Sequence, residues 1–181
     1  MKQKNDILKS VIVLTVICLV TSAALAVVNH FTAPVSAANA LAREEEARRE
    51  VASDAGSFDP VEGVELPPEI QSAFASVGTD GKITGYVFTV TGDGFGGPIT
   101  VMCAIDMDER IIDCSTLDVS GETKTLGGRV MEEEYTNQYA GQDATLSGVE
   151  TISGATVTSH AYEDCVRRAF EAYAMIKGAG A

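Results

Sequence analysis

The segment Ser153-Gly154-Ala155-Thr156-Val157-Thr158-Ser159 sets hydroxyl side chains beside small, flexible residues. Gly154 and Ala155 leave the backbone open to close approach, and a helical pattern begins near Thr158, so the Thr156 hydroxyl stands at a helix entrance. Unpaired N–H groups and the positive end of a helix dipole meet at such a point. It therefore suits a phosphate, either bound or esterified to the side chain. Ser153, Thr156 and Thr158 are the main oxygens available for an ester. An ordinary Ser/Thr-rich helix cap has the same composition, so the heptapeptide by itself leaves both readings open.

The elements that must position this segment follow from hydropathy and period. Ser10 to Val28 runs 19 residues without a charge, and about 20 residues cross a bilayer as one helix. Lys2, Lys4 and Lys9 precede it and the next Lys or Arg is Arg43. This places the N-terminus in the cytoplasm and the body of the chain outside. Val35-Ser36-Ala37 resembles a small-residue cleavage site, but signal-peptide apolar cores run about 7 to 15 residues, so the segment reads as a retained anchor. The expected division is 1–9 cytoplasmic, 10–29 a transmembrane helix, 30–68 a stalk helix and linker, and 69–178 one extracytoplasmic domain.

Residues 37–52 carry opposite charges at three- and four-residue spacing, which supports an exposed helix. Its apolar set, Leu41, Ala47 and Val51, is thin, so it reads as a stalk. Residues 53–68 mix Gly, Pro, Asp and Glu and read as an irregular connection. Then the period changes. Residues 73–77, 83–91, 98–105 and 110–117 are short and rich in β-branched residues, with turn residues between them, as in successive antiparallel strands. Residues 129–139 have a helical pattern with Val130, Tyr135 and Tyr139 available for packing. The closing helix, about 159–177, carries Tyr162, Cys165, Val166, Ala169, Phe170 and Tyr173 as a core-facing stripe. His160 is expected to be an exposed first-turn residue, with a phosphate contact as the alternative. The fold class is α+β: an N-terminal transmembrane helix, then an antiparallel sheet with flanking helices.

If Ile105 faces Ile112 across a turn, the same register sets Cys103 opposite Cys114 on a face shared with Val101. Outside the cytoplasm such a pair can oxidise; two small buried thiols are the equal alternative. Cys18 falls in the apolar helix and Cys165 in the last one. No Cys-x-x-Cys or Cys/His cluster is present, so no metal site is expected. Lys and Arg total 13 against 26 Asp and Glu, and beyond the apolar segment the balance is 10 to 25, a net of −15. A nucleic-acid partner needs a basic face, which is lacking. A Gly-x-Gly-x-x-Gly string occurs at Gly92–Gly97, but Pro98 and a further strand pattern follow it where a dinucleotide fingerprint needs a helix, and no P-loop occurs, which removes support for a dissociable dinucleotide site. No Ser/His/Asp arrangement stands out, so no catalytic residue is expected in the chain itself.

Three ordered motifs remain: Gly94-Phe95-Gly96-Gly97, Glu122-Thr123-Lys124-Thr125-Leu126-Gly127 and Ser153-Gly154-Ala155-Thr156. Gly-rich backbone at a strand start permits close approach of a flat ring, although a plain turn has the same composition. Together the motifs resemble the FMN-binding domains of Rnf and Na⁺-pumping NADH:quinone oxidoreductase complexes; the resemblance covers roughly residues 71–175, and with the single N-terminal anchor and short length it is to the RnfG family. That resemblance implies FMN esterified through its phosphate to Thr156 by a secreted, Mg²⁺-dependent flavin transferase of the ApbE type. It implies cofactor contacts at Ser153, Gly154, Ala155, Glu122, Thr123, Leu126 and Gly127, with Leu126 as a cover; Lys124 and Thr125 stand where the family carries Pro-Gly, and Lys124 would instead add a positive charge near the ring. It also implies an electron carrier within a membrane-bound ferredoxin:NAD⁺ oxidoreductase that moves Na⁺ or H⁺, alongside other membrane and iron–sulfur subunits. The alternatives are the C subunit of the Na⁺-translocating quinone reductase and a membrane-anchored binding or pilin-like protein without cofactor.

Overall fold

The computed structural model describes residues 2–179, with side chains from residue 9 onward. Residue 1 of the expected 1–9 segment and the side chains of Lys2 and Lys4 lie outside what it describes. The chain divides into two units, one up to Arg43 and one from Glu44.

The first unit belongs to a single helix, α1 (Lys2–Val51), which includes Pro34. A window of mean hydropathy 2.8 within it is free of protein cover, and α1 is long and apolar enough to cross a membrane. The hydroxyls of Thr15, Thr21 and Thr32 return to the carbonyls of Val11, Ile17 and Val28 at 2.9, 2.9 and 3.0 Å. Polar side chains along an apolar stretch are thereby satisfied within their own helix.

The second unit is built on five antiparallel strands in sequence order: β1 (Ser57–Pro60), β2 (Ile70–Val77), β3 (Ile83–Asp93), β4 (Pro98–Asp106) and β5 (Ile111–Asp118). Short 3₁₀ turns at Gly127–Met131 and Asn137–Tyr139 flank the one-turn α2 (Glu133–Thr136), and α3 (Thr156–Ala179) closes the chain. One face of the sheet meets α3. Phe88, Val90, Val101, Cys103 and Ile105 pack there against Tyr162, Cys165, Val166, Ala169, Phe170 and Tyr173, with Val130, Tyr135 and Tyr139 alongside. The stripe expected on the last helix is thus the core face.

The opposite face is covered by the end of α1, which differs from the expected stalk. Ala47, Val51 and Ala52 are buried against Val87, Met102 and Ala104. The guanidinium of Arg48 lies 3.5 Å from the Phe74 ring centre and pairs with Glu44 at 3.1 Å. Glu44 Oε1 also accepts from Ser72 Oγ at 2.7 Å and Thr89 Oγ1 at 3.1 Å. Alanines look weak as an apolar set, but their small size lets the helix lie close on the sheet, and β4 is consequently buried on both faces.

Cys103 and Cys114 do face each other in the β4–β5 ladder, both buried as free thiols. The route to that register differs from the one expected. Ile105 pairs with Ile111, not Ile112, because the register shifts by one residue between Ala104 and Ile105. A bulge absorbs the extra residue and turns Ile112 outward.

Candidate functional site

At the edge of the sheet, a cleft of about 400 Å³ is lined by Phe95, Glu122, Thr123, Leu126, Gly127, Gly154, Ala155, Thr156, Val157 and Thr158. Three distant segments supply it: the β3–β4 turn, the loop after β5, and the entrance of α3. Seven of the eight expected site residues line this cleft; Ser153 does not. It faces a neighbouring polar depression with Arg129, Glu132, Gln138 and Glu150. Lys124, expected to bring a positive charge near the ring, is exposed and is not among the wall residues.

Small residues make this shape. Gly96 and Gly121 approach so closely that a Cβ on Gly96 would strike the Gly121 carbonyl. A Cβ on Gly127 would overlap the Glu122 carboxylate and come within 2.8 Å of Thr158 Oγ1. Gly154 adopts φ +82°, a left-handed turn that admits glycine at low cost and brings Leu126 Cδ2 over its Cα hydrogens. Glu122 is buried, and its Oε1 accepts the Gly96 N–H at 3.0 Å, which joins the first wall to the second.

The loop leading to Thr156 is braced on both sides. Gln138 and Glu150 exchange reciprocal bonds: Glu150 N–H donates to Gln138 Oε1 at 2.8 Å, and Gln138 Nε2 donates to the Glu150 carbonyl at 3.2 Å. Ser159 Oγ accepts the Ile152 N–H at 3.0 Å, and Ala155 N–H donates to the Ile152 carbonyl at 2.9 Å. Behind it, the hydroxyls of Tyr135 and Tyr139 meet at 3.0 Å, and Tyr135 donates to the Ser159 carbonyl at 3.4 Å. Burial holds the phenols of Tyr135, Tyr139 and Tyr162 above their ordinary range, so this support is uncharged.

The helix begins two residues earlier than its hydrophobic pattern suggests. Ser159 N–H donates to the Ala155 carbonyl at 2.9 Å, so Ala155 is the N-cap and Thr156 the first helical residue. Ala155 has no side-chain oxygen to cap the turn. Among the described residues, nothing accepts the N–H groups of Thr156, Val157 or Thr158, and Thr156 itself is exposed at the cleft. His160 is exposed, with Nδ1 at 3.4 Å from Glu163 Oε2, and is not part of the wall.

Sequence reasoning missed Val157 as a wall residue, and took Phe95 only as part of a glycine-rich motif and Thr158 only as a possible ester oxygen. Phe95 is 79% exposed and Val157 55%. An apolar side chain placed against the core stripe's periodicity was the available signal for Val157, and an aromatic residue between glycines the signal for Phe95.

The residues fit a flat, partly apolar cofactor bearing a phosphate. Bare backbone and Leu126, Val157 and Phe95 offer apolar walls, and the uncapped N–H groups of α3 offer anion donors at one end. Residues 94–171 match the model of the FMN-binding domain, and residues 1–51 match the RnfG N-terminal region. The chain is 25% identical over 180 residues to the G subunit of the proton-translocating ferredoxin:NAD(+) oxidoreductase complex of Clostridium ljungdahlii, covering 94% of this chain and 93% of that one. It is 27% identical over 181 residues to the G subunit of the ion-translocating oxidoreductase complex of Methanosarcina acetivorans, covering 94% and 96%. Among solved structures, the C subunit of the Na(+)-translocating NADH-quinone reductase from Parabacteroides distasonis aligns with TM-score 0.48 and 21% identity, over 58% of this chain and 61% of that one.

Proposed function

The chain belongs to the RnfG family, and from that membership we propose that it is the flavin-carrying subunit of an Rnf-type ferredoxin:NAD⁺ oxidoreductase, with FMN esterified to Thr156. Its relatives are named as subunits of ion-translocating oxidoreductase complexes, so its partners are the other subunits of such a complex and the chain itself carries electrons. Electron flow is coupled to movement of Na⁺ or H⁺. α1 anchors the protein as a single span with its N-terminus in the cytoplasm, and the domain from Glu44 stands outside, where an ApbE-type transferase matures it. An ester prevents loss of the cofactor from an extracytoplasmic site.

The observation that carries the attachment reading is the exposed Thr156 hydroxyl at the cleft, beside three N–H groups without acceptors. A phosphate there keeps its remaining charge next to donors and the helix dipole. FMN, when bound, supplies reversible one- and two-electron chemistry. The chain's own contribution is to place and enclose it. Leu126 and Val157 cover apolar surface, Thr123 offers a hydroxyl, and Gly127 and Gly154 keep the cleft wall free of side chains. Ser153 is assigned to the loop that presents Thr156 and not to the cofactor contact. The match of residues 1–51 favours the G subunit over the C subunit of the quinone reductase, and the match of residues 94–171 disfavours a cofactor-free binding protein.

The test is the Thr156→Val variant of the full chain, co-expressed with a flavin transferase. Valine keeps the side-chain shape and removes the nucleophile, so in-gel flavin fluorescence and the FMN mass increment should vanish while the domain stays folded. Thr158→Val should retain both. Covalent flavin persisting in Thr156→Val refutes the assignment.

A further inference from the structure

Glu122 is 8% exposed and contributes its carboxylate to the cleft wall. Oε1 accepts one bond, the Gly96 N–H at 3.0 Å, and among the described residues no cation pairs with either oxygen. Oε2 lies against Gly127, beside the Thr158 hydroxyl, and a Cβ at Gly94 would strike Oε1. Glycine at 94 and 127 therefore makes room for this carboxylate as well as for the cleft.

Charged groups on the surrounding elements are directed elsewhere. At the end of β3 Asp93 is exposed. Before the loop after β5, Asp118 accepts the Ser120 N–H at 2.9 Å, and within it Lys124 is exposed and away from the wall. Arg129 pairs with Glu132 at 3.2 Å, and on α3 His160 faces Glu163. Glu122 is the sole ionisable side chain among the wall residues. A carboxylate with one donor and no counter-ion is poorly placed to tolerate a second negative charge nearby, because like charges close together repel.

We propose that Glu122 is the redox-linked proton acceptor of this site: its carboxylate binds one proton when the flavin is reduced and releases it on reoxidation. This rests on the reading of the cleft as the FMN site. Reduction brings two electrons from an iron–sulfur donor and two protons from solvent through the cleft mouth: one proton accompanies the electrons onto the flavin, and the second is held on the Glu122 carboxylate, with Oε2 the oxygen not already bonded to Gly96. Both electrons leave to the acceptor on reoxidation, and both protons return to solvent. The charge added to the wall on reduction is thereby offset within the same segment that ties Gly96 to Gly127.

The experiment uses full-length flavinylated protein in detergent and its Glu122→Gln variant, which keeps an oxygen to accept the Gly96 N–H. Intact mass first establishes FMN on both. Midpoint potentials are then measured with dithionite between about pH 5 and pH 9. One extra proton per electron pair is a tenfold change in the equilibrium per pH unit, about 30 mV, so over the window in which Glu122 exchanges its proton the wild-type slope should exceed the variant's by that amount. Reduced-minus-oxidised infrared spectra of wild type grown with ¹³C-glutamate should show a label-shifted protonated-carboxyl band. Equal slopes with FMN attached to both proteins overturn this inference alone. If Glu122→Gln does not fold, absence of the labelled band in wild type overturns it. Absence of the FMN mass from wild type overturns the site reading and this inference with it.

Discussion

Gly127→Ala tests the packing that gives the cleft its shape. Gly127 does not require a left-handed backbone, so the cost of a methyl group is contact alone. That contact is with the Glu122 carboxylate and with Thr158 Oγ1 at 2.8 Å, on a buried acid already bonded to Gly96 at 3.0 Å. Two responses are open to the fold. Swinging the carboxylate away forfeits a hydrogen bond to a charged group, about 1.5–3 kcal/mol. Leaving it in place forces the loop to shift, and overpacking of this kind costs about 1–3 kcal/mol. The cheaper path is taken, so the expected loss is about 2 kcal/mol of unfolding free energy, read by denaturant titration of the full chain in detergent. In a Glu122→Ala background the carboxylate is gone, and the cost of Gly127→Ala should fall by at least about 1 kcal/mol. Gly178→Ala, near the end of α3 with nothing within 4 Å, serves as a control that should be neutral or slightly stabilising. A Gly127→Ala protein as stable as wild type, or one whose penalty is unchanged without Glu122, refutes the reasoning.

Val51→Ala should destabilise the domain by about 2 kcal/mol, since Val51 is 1% exposed against the sheet, whereas Leu41→Ala should leave domain unfolding unchanged. Equal, negligible effects of both would return the end of α1 to a stalk. The domain should also lose stability in base. Burial raises Cys114, Tyr135, Tyr139 and Tyr162 and pushes Cys165 up to about 12. Folded groups thus hold protons that the unfolded chain releases above about pH 9 for thiols and about pH 10 for phenols. Their contribution is complete below those values and declines as pH rises, by about 1.4 kcal/mol per pH unit for each group. Urea midpoints from pH 8 to 11 check this; a flat profile refutes it.

The β4–β5 pairing illustrates what the sequence makes legible. Alternation of Val101, Cys103 and Ile105 identifies a buried face, and Cys114 falls opposite Cys103 as expected. The bulge is not legible, because two adjacent isoleucines at 111 and 112 satisfy the period equally well and only the pairing decides which turns inward. β1 escapes notice for a related reason: Ser-Phe-Asp-Pro is a four-residue edge strand in a stretch of turn-forming residues, with no alternation to read. Ala47 and Ala52 look indifferent until a sheet lies against them. In the cleft, the three motifs mark the right segments, since glycine spacing and hydroxyls are local properties. Which of their residues share one wall is a tertiary matter. Ser153 turns toward Gln138 because Gly154 reverses the chain, and Thr158 enters the wall because α3 begins at Thr156.

The ladder order β1-β2-β3-β4-β5 has a consequence for biogenesis. Each strand pairs with the one synthesised just before it, so hairpins can form as the chain emerges, without waiting for distant partners. The cleft is different in kind: its walls come from Phe95, from Glu122, Thr123, Leu126 and Gly127, and from residues 154–158, and the last are held by a helix whose buried contacts extend to Ile176. Thr156 is therefore fixed in place only after nearly the whole domain has appeared. On the proposed reading of Thr156 as the ester acceptor, a transferase that recognises the assembled cleft would meet that hydroxyl only in completed molecules, and the fold itself would act as a proofreading step ahead of attachment.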